Sequence, residues 1–324
     1  MIRFNNDPVL IERQIGARGR FTLRQASGEV SIRGVEGDTV RVRADDEKAL
    51  REGFSIDAGK DSLEIRQAEK LGFGIFGRGE SIEIEVEVPH GATVSIETQS
   101  GDIEASDLSG SKSFRTASGE VVLQRLSGAV EVETVSGDLE IEGPAPIELK
   151  GRTVSGDVEV RVPVLRRLDL GTTSGDMQVD AELKGDGPFA IRTISGDVQV
   201  VGRSGIRIEA ETITGDLSSD LPGKRESQLG RRVIIVGRPG PTLSFRSVSG
   251  DLHVAEARDA APILKETPMT ETEGATTTEA STAEPDQAGD ADTQRMEILR
   301  QLERGEISVA QAGERLGELD GVLR

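Results

Sequence analysis

The chain has 324 residues, with 58 acidic against 39 basic side chains and a formal charge of −19. That balance excludes nucleic acid and anionic membrane as expected partners, because both require a basic surface. No Cys, Tyr or Trp, two His and eight Phe exclude a disulfide framework, thiolate chemistry and a core of stacked rings, and nothing in the composition calls for a cofactor or metal.

Residues 1–7 lack a basic start followed by an apolar stretch, so they do not read as a secretory signal. The longest aliphatic run, 233–236, is far too short to span a bilayer. The expectation is a cytoplasmic protein. Residues 20–43 hold a first strand–turn–strand unit around Ser27-Gly28-Glu29, and 62–65 and 81–88 alternate as strands. Ser27 lies 73 residues before Ser100, which predicts four stacked coils whose intermediate turns have lost their signature. The Gly-rich apolar segment 71–77 reads as a cover for the end of the stack or as a binding tip.

The regular array runs over 94–255. A hydroxyl residue, Gly and an acid recur nine times, at Ser27, Ser100, Ser118, Ser136, Ser155, Ser174, Ser195, Thr214 and Ser249. From Ser100 to Thr214 the steps are 18, 18, 19, 19, 21 and 19 residues. A constant period of this size marks stacked units too small to bury an apolar face alone. Apolar residues alternate on both sides of each triplet, as in Val130, Val132 and Thr134 before Ser136 and Leu139 and Ile141 after it, which is the period of a half-buried strand.

Two strands and two turns in about 19 residues leave no room for a crossover helix, so each strand pairs in parallel with its own copy. The fold class is all-β: a parallel β-solenoid, right-handed by the preference of parallel crossovers. At the corners Gly101, Gly119, Gly137, Gly156, Gly175, Gly196 and Gly215 accept positive φ, while Asp102, Asp138, Asp157, Asp176, Asp197 and Asp216 are expected to bond their own turn. A calcium ladder of the β-roll type does not fit, because those rolls repeat every nine residues.

Equivalent positions form columns. The Thr column (Thr98, Thr116, Thr134, Thr153, Thr172, Thr193, Thr212, Ser247) and the Ser column are both expected to face inward. Three residues before the Ser, Glu97, Arg115, Glu133 and Arg152 alternate in sign, which favours this register. One residue before the Ser, Val135, Val154, Ile194, Ile213 and Val248 face outward. They form either a docking strip or strand-favouring residues covered by a return segment.

The entry Val88-Pro89-His90-Gly91, followed by Val94-Ser95-Ile96-Glu97-Thr98-Gln99-Ser100-Gly101-Asp102-Ile103, and the recurring Thr-x-Ser-Gly-Asp-aliphatic unit resemble the bacterial β-strand-repeat adhesin-like family, a domain formally of unknown function. The likeness spans roughly 20–255. It implies a solenoid used as an interaction surface, in some members linked to cell-envelope stress, and it carries over no catalytic residues.

Between Thr214 and Ser249 the step grows to 35 residues, and 220–232 reads as an inserted loop. Residues 257–292 are rich in Thr, Ala and Glu and poor in aliphatics, so they predict a disordered acidic linker after a solenoid domain at 1–256. Residues 293–324 change to helical period. Met296, Leu299 and Leu302 line one helix, and Val309, Leu316 and Leu319 continue the stripe on a second. This two-helix hairpin is similar to modules that accompany such repeats in envelope-stress proteins, and it predicts self-association or a protein partner.

The function that follows is a non-enzymatic interaction scaffold with a protein, cell-surface or glycan ligand. The alternative is a carbohydrate-active β-helix enzyme using Asp and Glu. His90, after a Pro in a turn, and His253, on an outward strand position, are expected to be solvated.

Overall fold

The computed structural model describes residues 8–257, apart from 69–80, 204, 229–230 and 237–239. The segment 71–77, the linker expected at 257–292 (all but its first residue) and the helical hairpin expected at 293–324 lie outside the described residues.

Two columns of parallel strands, one before the glycine corner and one after it, enclose the core. In the first column Lys112–Ser118 lies between Thr93–Ser100 and Gly128–Ser136, with Thr98, Thr116 and Thr134 in register. In the second, Val121–Gln124 lies between Ile103–Ser106 and Leu139–Glu142. Inward positions of both columns are fully buried, as at Ile96, Phe114, Val132, Ile103 and Val121. The core is therefore thin and aliphatic, with Phe21, Phe114 and Phe245 among its largest closed-in side chains. Isolated parallel bridges join Ser136, Ser155, Ser174, Ser195 and Ser249.

The order of coils at each end differs from the order in the chain. Arg20–Ser27 pairs directly with Thr93–Ser100, placing Ser27 opposite Ser100. Its other edge pairs with Ser62–Gln67, and Val30–Val35 likewise lies between Ile84–Pro89 and Ile103–Ser106. Between the Ser27 and Ser100 coils the chain thus builds one further coil, threaded to the outside, where a four-coil spacing called for three.

The opposite end repeats the device. Thr242–Ser247 pairs with Phe189–Arg192 on one side and Ile206–Thr212 on the other, so the Ser249 coil lies inside the Thr214 coil. Ten coils stack among the described residues, nine with the triplet and one without.

Open edges of a parallel stack invite further pairing, and antiparallel strands close them here. Phe54–Ala58 covers Ser62–Gln67, and Thr39–Ala44 covers Ile84–Pro89. A short helix, Glu47–Gly53, is capped by Asp46 and buries Leu50. At the other end Arg231–Val236 covers Ile206–Thr212 and is itself paired with Gly223–Gln228. The inserted loop expected at 220–232 is therefore largely strand. Lys224 and Arg225 are exposed, and an edge strand open to solvent shows no apolar alternation by which to recognise it.

Candidate functional site

The corners position everything on the surface. Gly101, Gly119, Gly137, Gly156, Gly175 and Gly196 have φ between 123° and 144°, a region that L side chains rarely enter. A second constraint was not visible in the spacing. A Cβ on Gly156 would lie 2.3 Å from the Gly137 carbonyl oxygen, and one on Gly215 would lie 1.9 Å from that of Gly250. Gly215 is not among the positive-φ glycines; contact with the neighbouring coil accounts for it.

The corner acids bond across coils. Asp138 Oδ1 accepts the Asp157 amide at 2.8 Å, and Asp157 accepts that of Asp176, Asp176 that of Asp197, Asp197 that of Asp251 and Asp251 that of Asp216. Asp102 accepts the Glu120 amide in the same way. The expectation that each Asp bonds its own turn is overturned. The corner directs each carboxylate along the stack, where the next coil's N–H offsets the repulsion between stacked acids. Among the described residues no group of three or more His, Cys, Asp or Glu could hold a metal ion.

The Thr column is buried as expected from Thr98 to Thr193 and at Ser247, with Thr212 only half-buried, but the Ser column is exposed from Ser100 onward. The chain starts to bend at the Ser, so strand alternation no longer sets its direction. Instead the Thr closes the corner: the Thr116, Thr153, Thr172 and Thr193 hydroxyls donate to the carbonyl of the Ser two residues on, at 3.0 to 3.3 Å.

The outward column is uncovered. Val135 is 53% exposed, Val154 48%, Ile194 52%, Val248 46% and Ile213 77%. Ladder bonds fix their order: Ser155 N–H donates to the Val135 carbonyl, Ser174 to Val154, Ser195 to Thr173, Ser249 to Ile194 and Thr214 to Val248. Six rungs, interrupted only by Thr173, make a strip about 24 Å long at a strand spacing of ~4.8 Å.

Charged columns flank it. Two residues before the strip stand Glu133, Arg152, Gly171, Arg192, Arg246 and Glu211; three residues after it stand the corner acids Asp138, Asp157, Asp176, Asp197, Asp251 and Asp216. The Arg115 guanidinium 2.7 Å from Glu133 holds that carboxyl below its usual range. Arg152 and Arg192 both reach Asp169 at 2.6 Å, and Arg246 meets Glu211 at 3.0 Å.

Both His are half-exposed yet bonded. His90 Nδ1 lies 2.6 Å from the Asp107 carbonyl oxygen. His253 Nδ1 lies 2.9 Å from Ser218 Oγ and its Nε2 3.1 Å from Asp220 Oδ2. Ser218 and His253 each stand four residues after the hydroxyl of consecutive triplets, Thr214 and Ser249, so the column spacing itself sets them side by side. The end exchange changes only which of the two coils is outermost. An open cleft of about 560 Å³ lies at the other end, lined by Ile15, Gly16, Arg18, Gly19, Arg20, Asp61, Ser62 and Thr93.

Parallel in-register coils with glycine corners define an all-β repeat domain. The chain belongs to the Toastrack DUF4097 family, whose model matches residues 19–255. Similar solved structures include a "putative adhesin" from Bacteroides fragilis, 11% identical over 75% of this chain and 95% of that one, with a TM-score of 0.44. A "putative lipid binding protein" from Parabacteroides distasonis is 13% identical over 76% and 96%, with a TM-score of 0.35. A "putative cell adhesion protein" from Clostridium sporogenes is 10% identical over 76% and 98%, with a TM-score of 0.26. No curated protein matches the chain. Among the described residues no helix is long and apolar enough to cross a membrane.

Proposed function

We propose that this chain is a non-enzymatic, adhesin-like interaction scaffold that presents its outward strip to another macromolecule. One observation carries the reading. Of the seven large hydrophobic side chains exposed among the described residues, five stand in this single column. Scattered apolar residues need no explanation, but a contiguous ladder marks a contact surface. The corner acids support a scaffold over a glycosidase, because each bonded Asp holds a backbone amide of the next coil, whereas a general acid must carry and release a proton.

The experiment is affinity capture with the full chain, in its natural form and with Val135, Val154, Ile194 and Ile213 changed to Lys. Loss of bound partners with unchanged circular dichroism supports the reading; equal recovery by both forms overturns it.

A second reading rests on Ser218, His253 and Asp220, whose bonding chain has the pattern of an activated hydroxyl. His253 and Asp220 are 39% and 57% exposed, and water at such a site weakens electrostatic stabilisation of a transition state. Labelling of Ser218 by a fluorophosphonate probe, abolished by His253→Ala, supports hydrolase chemistry; no labelling removes it.

A further inference from the structure

We propose that the partner of the strip is a second copy of this chain, packed strip against strip with the two-fold axis running along the stack. The inference rests on the reading of the strip as a contact surface and adds its occupant.

Two features of the surface select that occupant. The first is periodicity. The strip repeats at one strand spacing, and a rigid partner matches it rung for rung only with a ladder of the same rise. A second solenoid supplies that ladder. The second feature is the arrangement of charge. Val154, Ile194 and Val248 each have an Arg on one side (Arg152, Arg192, Arg246) and an Asp on the other (Asp157, Asp197, Asp251). A two-fold axis parallel to the stack carries each rung onto the same rung and exchanges left with right. Arg152 then faces the partner's Asp157, Arg192 the partner's Asp197 and Arg246 the partner's Asp251.

An axis across the stack instead sets the guanidinium column against its own copy and the acids against acids. Like charges facing across an interface disfavour that arrangement. Within each copy Arg152 and Arg192 also hold Asp169 and Arg246 holds Glu211, so each guanidinium bridges an intrachain carboxylate and the partner's Asp. At the outer rungs Glu133, held by Arg115, and Glu211 face acids under either axis. A closed two-fold also consumes the strip on both copies, so assembly stops at the dimer.

The absence of Cys from the chain gives a direct test. Single-cysteine full-length variants Val135→Cys, Ile194→Cys and Ile213→Cys are oxidised at low concentration and run on non-reducing gels, with Ile56→Cys as an exposed control outside the strip. The parallel axis predicts disulfide dimers from all three strip variants and none from the control, together with a dimer in sedimentation that Ile194→Lys converts to monomer.

Crosslinking of Ile194→Cys alone, with Val135→Cys linking only when mixed with Ile213→Cys, overturns the parallel axis. A monomer that crosslinks at none of the positions overturns the second copy as occupant. If the lysine variant still loses captured proteins in that case, the strip remains a contact surface for a different partner. If capture is also unchanged, the strip has no contact role. Charge confirms the pairing independently: Arg152→Glu with Arg192→Glu should abolish the dimer, and the single change Lys224→Glu, away from the strip, should not.

Discussion

Lys112 occupies an inward position in register with Val94 and Val130. It is 3% exposed, and its ammonium donates to the Ser127 carbonyl. Burial pushes its pKa down to about 8 from an ordinary 10.5, so the folded state disfavours the proton that the unfolded chain holds. The cost is full below pH 8 and fades as pH rises from there to 10.5. At 1.36 kcal/mol per unit it is of order 3 kcal/mol. Lys112→Met should therefore stabilise the protein by about 1–3 kcal/mol at pH 7 in urea unfolding, with the gain shrinking above pH 8. A difference independent of pH would rule out the ammonium as its source.

The acid ladder makes a second prediction at this scale. Asp138 begins a run of carboxylates each accepting the next coil's amide, and Asp102 does the same for Glu120. The longer Glu120 separates the two runs. Glu120→Asp should join them and raise stability by roughly 0.5–1.5 kcal/mol, the worth of one net hydrogen bond. No gain in the unfolding midpoint would show that side-chain length is not what interrupts the ladder.

Among the elements, the hairpin of Gly223–Gln228 and Arg231–Val236 has a defined task. Its inner strand pairs antiparallel with Ile206–Thr212, the outermost rung of the first column. Ile234 and Val236 are buried beneath it. Replacing residues 223–236 by a short Gly/Ser linker uncovers that edge. Light scattering should then show concentration-dependent aggregation that the full chain lacks, since an unpaired strand edge templates further pairing. A hairpin-less chain that stays monodisperse would mean another feature protects the edge.

Across the whole β-repeat unit, the exchange of coils at both ends changes how it should come apart. In an ordinary solenoid the last coil is also last in the chain and frays first. Here Ser62–Gln67 is outermost, yet the chain leaves that coil only to re-enter the stack beyond the Ser27 coil. Ile206–Thr212 is held in the same way between its hairpin and the Ser249 coil. Amide exchange of these two strands should resemble that of Lys112–Ser118 at the centre. Protection falling steadily from centre to ends would show that the interleaving adds no cooperativity.

Period-two alternation and the spacing of nine triplets determined the parallel, in-register coils, the buried Thr column and the outward direction of Val135, Val154, Ile194, Ile213 and Val248. These are local properties, because a strand's faces follow from its own residues and a repeated turn imposes the same register each time. The order of the end coils and the antiparallel covers were decided by the tertiary structure alone. Each depends on which edge a strand finds, and pairing between distant segments leaves no mark on the residues of either one.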